Sequence, residues 1–112
     1  MFLSFNLRGS LLNEDEAIDA IVGEASNQSY DTMICVAQAL HHRGTLKGVY
    51  GLHASHNAFE NKDVRDAAEE AWESADAIPD KVKGAKNWGT YDDLIKLDVK
   101  GYKVRCGDLY FY

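Results

Sequence analysis

Apolar residues recur at helical spacing in three capped segments of this chain, and from Tyr102 onward the pattern switches to alternation. That change of period restricts the fold more than any other feature, because a 3.6-residue stripe and a 2-residue alternation bury different surfaces. The first segment runs from about Asn13 to Ala25. Asn13 caps it, Glu16 three residues on completes a capping-box-like start, and Glu14 and Asp15 suit the positive end of the helix dipole. Ile18, Ile21, Val22 and Ala25 follow the i, i+3, i+4, i+7 rule for one buried stripe. A second helix is predicted over Tyr30 to Arg43, opened by Asn27 or Ser29 and closed by Gly44, with Met33, Val36, Ala37, Leu40 and His41 as its apolar face. A third runs from the cap Asn61 through Val64, Ala67, Ala68, Ala71, Trp72 and Ala75, and ends by Asp76 and Pro79. A short turn of helix follows Thr90, with Asp93 three residues on. The tail, Tyr102–Arg105, then Cys106-Gly107-Asp108, then Leu109–Tyr112, reads as a β-hairpin with Val104 on one face and Lys103 and Arg105 on the other. The expected architecture is a small α+β domain, mainly helical, with a C-terminal β-hairpin packed beside the helices. At 112 residues, with no repeat or linker, the whole of 1–112 is expected to form a single domain.

Charge narrows the choice of partners. Residues 1–79 carry 5 Lys and Arg against 13 Asp and Glu, net −8, and residues 80–112 carry 7 against 5, net +2. An overall charge of −6 leaves no strongly basic face to neutralise phosphates, so nucleic acid is not expected as a partner. The mildly basic C-terminal third can meet an anionic polymer. No apolar run approaches the roughly 18–20 residues that span a bilayer, and Met1–Arg8 lacks the cationic flank and long apolar stretch of a secretory signal. Synthesis in the cytoplasm, without a membrane partner, is the expectation. Cys35 and Cys106 permit one disulfide, but in a chain without a signal they read as two buried free thiols. Neither their spacing nor that of His41, His42, His53 and His56 matches a zinc motif, and adjacent histidines on a helix point to different faces. No metal or cofactor is expected.

Glu24, in Gly23-Glu24-Ala25, is the residue that asks for a function. It lies beside the buried stripe of the first helix, next to Ala20 and Ile21, at the point where that helix gives way to a polar turn. A carboxylate there is costly to bury and needs a partner or a purpose. The plain alternative is a helix-end glutamate bonded to backbone amides or to an arginine.

Ile21-Val22-Gly23-Glu24-Ala25, the aromatic Tyr30, Val36-Ala37-Gln38-Ala39-Leu40 leading to Arg43, and the closing Lys103-Val104-Arg105-Cys106-Gly107-Asp108-Leu109-Tyr110-Phe111-Tyr112 together resemble the spore-cortex-lytic (SleB-like) cell wall hydrolases. The likeness touches about residues 17–112, with a loose middle. Family members usually have Asn before the arginine of the second helix, where this chain has His41-His42-Arg43. The stretch from Ala77 to Asp93 also differs from the family's aromatic-and-asparagine segment, Asn87-Trp88 standing in its place.

The resemblance implies a lysozyme-like fold and a peptidoglycan-degrading glycosidase, of muramidase or lytic transglycosylase type. Breaking a glycosidic bond requires protonation of the leaving oxygen while positive charge develops on the sugar. By the resemblance Glu24 is the catalytic general acid, later the base. Asp31 and Glu60 are candidates by position for a second carboxylate, though neither matches a catalytic position of the family. A lone carboxylate favours attack by the sugar's own 6-hydroxyl, which leaves a 1,6-anhydro end. Tyr30 and Gln38 are the expected substrate-binding donors, and Trp88 and Tyr110, with Trp72 and Tyr50 as further aromatics, are candidates to stack on sugar faces. The implied partner is the peptidoglycan glycan strand, met by a monomer acting on the bacterial wall after release, as a phage endolysin does or as a bacterial remodelling enzyme does. The rival reading is a non-catalytic cell-wall-binding or structural module.

Overall fold

Caps decide where the helices begin. In the computed structural model, which describes residues 12–49 and 61–112, helix α1 covers Glu14–Ala25 and the Asn13 side chain accepts a hydrogen bond from the Glu16 amide at 3.0 Å. Helix α2 covers Tyr30–Arg43. Ser29 is its cap, accepting from the Thr32 amide, and Gly44 ends it in the left-handed conformation with its N–H donating to Leu40 O. Helix α3 covers Lys62–Ser74 behind the cap Asn61 and tightens into a 3-10 turn at Ala75–Ala77. Tyr50, His53, His56 and Glu60 lie outside the described residues.

The three helices pack on one another, and α2 is the central one. The expected single apolar face understates its role: every residue from Thr32 to Leu40 is buried, including the polar Thr32 and Gln38. A helix covered all round belongs in the interior. Ile21 and Val22 of α1 and Ala68, Ala71 and Trp72 of α3 join Ile34, Val36 and Leu40 in one core. Arg65 of α3 pairs with Asp19 of α1 at the edge of that layer. His41, assigned to the apolar face, stacks on Trp72 with ring centroids 3.8 Å apart and planes 12° apart. Trp72 is therefore a core residue.

The C-terminal half supplies the sheet. Strand β1 is Trp88–Gly89, helix α4 is Tyr91–Lys96, and β2 (Val104–Cys106) and β3 (Leu109–Phe111) form the expected hairpin. The order is β1-β3-β2, all antiparallel, with Trp88 and Val104 both opposite Phe111. Leu109 and Phe111 are buried, and Phe111 carries the sheet's packing into the helical core. The fold is mixed α+β and mostly helical.

The two cysteines correct an expectation. Rather than free thiols, Cys35 of α2 and Cys106 of β2 form a disulfide across 71 residues of sequence. Their Cα atoms lie 6.6 Å apart, within the range a disulfide spans. The physical reason is the docking of the hairpin turn on the α1–α2 junction. Gln28 donates to Asp108 Oδ2 and accepts from the Asp108 amide, each at 3.2 Å. Gly107 has φ +58°, and a Cβ there would lie 2.5 Å from Gln28 Oε1 and 2.6 Å from Thr32 Oγ1. Only glycine lets the turn sit this close, which delivers Cys106 to Cys35.

No helix among the described residues is long and apolar enough to cross a membrane.

Candidate active-site cleft

Glu24 opens, half-buried, into a cleft of about 420 Å³ between the end of α1, the end of α2, the sheet edge and α4. The walls of the same cleft include Arg43, Asn87, Trp88, Asp93 and Tyr112. Arg43, at the C-terminal end of α2, is held rather than loose. Its Nη1 donates to Lys86 O at 3.1 Å and to Asn87 Oδ1 at 2.9 Å, and its Nη2 donates to Lys47 O. The guanidinium carbon also sits 5.9 Å from the centroid of the Trp88 ring, within cation–π range. Backbone bonds between Asn87 and Tyr112, 3.0 and 2.9 Å, fix the last residue at the rim.

Asp93 is the second carboxylate of the cleft. Thr90 caps α4 by accepting from the Asp93 amide at 3.3 Å, and Asp93 Oδ2 accepts from the Thr90 amide at 3.0 Å, a complete capping box. Gly89 makes room for it, since a Cβ at residue 89 would lie 2.9 Å from Asp93 Cβ. The Thr90–Asp93 spacing announced a helix start in the sequence. That the same carboxylate would share a cavity with Glu24 depends on the packing of α4 against β1 and β3, which carries no local signal.

Of the expected site residues, the structure brings together Glu24 and Trp88. Gln38 is elsewhere, on the far wall of a different cavity with His41, His42 and Asp80. Its carboxamide is consumed by backbone: Nε2 lies within 3.1–3.2 Å of the carbonyl oxygens of Ala75, Ile78 and Pro79, and Oε1 accepts from the Lys81 amide at 2.8 Å. Tyr30 is 40% exposed at the first residue of α2 and does not line the cleft. Tyr110 lies on the opposite face of β3 from Phe111, against Tyr91 and Tyr102. Asp31 is exposed and pairs with Lys81 at 3.5 Å, near the disulfide and away from Glu24.

His42, which stands where the resembling family has Asn, faces Asp80 with Nε2 3.1 Å from Oδ2. Partial burial pushes the Asp80 carboxyl up. The approach of His42 and the amides of Val82 and Gly84, which donate to it at 3.1 and 2.7 Å, outweigh this and hold it below the usual carboxylate value. The segment from Pro79 to Gly84 is thus gripped by two neighbouring side chains of α2, and Val82, fully buried, plugs the core beneath it.

No protein-family model, curated protein or solved structure matches this chain. The resemblance drawn from its sequence therefore rests on the quoted residues alone. Among the described residues no three His, Cys, Asp or Glu side chains gather as a metal site.

Proposed function

We propose that this chain cuts the glycan strand of peptidoglycan, with Glu24 as general acid and then general base, on a lysozyme-like fold. The observation that carries the reading is the placement of Glu24: it leaves an apolar helix and enters a cleft walled by an indole, a phenol, a carboxamide and a second carboxylate. Trp88 and Tyr112 offer flat faces for pyranose rings, and Asn87 offers an amide for hydroxyl or acetamido groups. Arg43 keeps these groups in register rather than touching the reacting bond, because its two terminal nitrogens already donate to Lys86, Asn87 and Lys47.

Asp93 favours a second version of the chemistry. With Glu24 alone, the substrate's 6-hydroxyl displaces the bond and leaves 1,6-anhydro ends. With Asp93 across the cleft, a carboxylate is at hand to activate water or to stabilise the developing cation, which leaves reducing ends. Product analysis separates them: reducing ends from the wild type and their loss in Asp93→Asn support the water-using version, and anhydro ends from both proteins refute it.

The test of the reading itself uses isolated peptidoglycan, with turbidity and new glycan ends followed over time. Glu24→Gln is expected to lower the rate roughly 100- to 10,000-fold, the usual contribution of a positioned acid. Equal rates would remove Glu24 from the mechanism. Pelleting of the wild type with the wall, without clearing, would identify a binding module instead.

A further inference from the structure

The face of the sheet turned away from the core carries a cluster that the cleft does not use. Tyr110, between the buried Leu109 and Phe111, points outward. Its ring meets Tyr102 edge-on, centroids 4.8 Å apart at 79°, and Tyr91 at 6.1 Å and 53°. Arg105 places its guanidinium carbon 5.3 Å from the Tyr110 centroid. Tyr91 and Tyr102 are 62% and 54% exposed, and beside them the chain forms a concavity of about 430 Å³ whose lining includes Tyr91, Leu94, Ile95, Asp98, Lys100 and Tyr102. Helix α4 is the wall between this concavity and the Glu24 cleft. Asp93 and Leu97 face the cleft, whereas Tyr91, Leu94 and Ile95 face the tyrosines.

We infer that this tyrosine cluster is a second, non-catalytic binding site for the same class of polymer, an N-acetylated glycan strand. The inference rests on the glycan reading proposed above. Three phenols pre-set by mutual contact lose little freedom on binding, and each presents an apolar ring with a hydroxyl at its tip. That combination matches a pyranose, whose C–H face is apolar and whose rim is polar. Charge does not choose the ligand here: in residues 91–112 Lys96, Lys100, Lys103 and Arg105 are balanced by Asp92, Asp93, Asp98 and Asp108, and Lys100 pairs with Asp98 at 2.9 Å, so recognition falls to the rings. A linear strand that rests on the tyrosines can continue over α4 toward Glu24, so the site holds polymer near the cleft rather than closing on a single sugar.

Co-sedimentation with purified, insoluble peptidoglycan sacculi tests it, in a Glu24→Gln background so that binding is read without cutting. Tyr91→Ala with Tyr102→Ala is expected to weaken binding about tenfold or more, and Tyr→Phe at both positions to keep most of it, since the ring faces remain. Both rings are exposed, so the thermal midpoint is expected to stay put and serves as the folding control. Binding unchanged in the double alanine variant, or no binding by the parent, overturns the inference. So does concentration-dependent self-association that the alanines abolish while sacculus binding persists, because the face would then be a contact between copies. Failure of the catalytic reading is separate: tyrosine-dependent pelleting with no clearing by the wild type leaves the site standing and removes the enzyme.

Discussion

Gln38 has one side-chain oxygen and one amino group, and the fold uses both on backbone of the segment from Ala75 to Lys81. The residue type was conspicuous in the sequence because a carboxamide in an apolar helix asks for partners, but those partners lie 37 to 43 positions away. Nothing local distinguishes an amide that waits for a sugar from one that pins a loop. Gln38→Leu strands a buried amide and several carbonyls, and is expected to cost about 3 kcal/mol in urea unfolding. Asp80, next along the same segment, carries a pH signature. Its carboxyl titrates below the ordinary value of 3.8 in the folded protein. It therefore adds stability above that value, and the contribution is lost as pH falls through the lower, folded-state value. Asp80→Asn should flatten the stability profile below about pH 4, read as a thermal midpoint followed from pH 6 downward. An unchanged profile would mean that His42 and the two loop amides do not stabilise the charged form.

At the scale of elements, legibility followed length. Helices α1, α2 and α3 run for 12, 14 and 13 residues, enough for period and caps to show. The hairpin was readable from its alternation. Strand β1 has two residues, too few for any alternation, and it exists because Asn87 and Tyr112 exchange backbone bonds. The cleft depends on this short strand and on α4, so the site was legible only in part: Glu24 and Trp88 could be named, Asp93 and Tyr112 could not. Gly89 is the joint between β1 and α4. Gly89→Ala would drive a methyl into Asp93 Cβ, and the first turn of α4 has to move. A loss of about 1–3 kcal/mol is expected from overpacking, together with a fall in wall clearing larger than the stability loss explains. Clearing at the wild-type rate would show that Asp93 need not hold its place.

For the whole molecule, the disulfide is the covalent tie between the helical layer and the sheet. Closing a loop of 71 residues restricts the unfolded chain enough to stabilise the fold by about 4 kcal/mol. Cys35→Ser with Cys106→Ser, or reduction of the wild type, is therefore expected to lower the thermal midpoint by about 15–20 °C. Matching midpoints with and without reductant would place the tie's effect elsewhere. The pairing could not be read from the sequence, because it depends on Gln28, Thr32 and Gly107 meeting at a contact between distant segments.

Helix α2 grips the sheet twice. Cys35 holds Cys106 on β2, and Arg43, eight residues on and about 12 Å along the axis, holds Asn87 at the head of β1. These strands are the two outer members of the β1-β3-β2 order. A small sheet bolted along both margins to one rigid spar has no free hinge about its middle strand. The gap between Glu24 and Trp88 is consequently of fixed gauge, and under the proposed function a glycan strand would slide into it rather than be clasped.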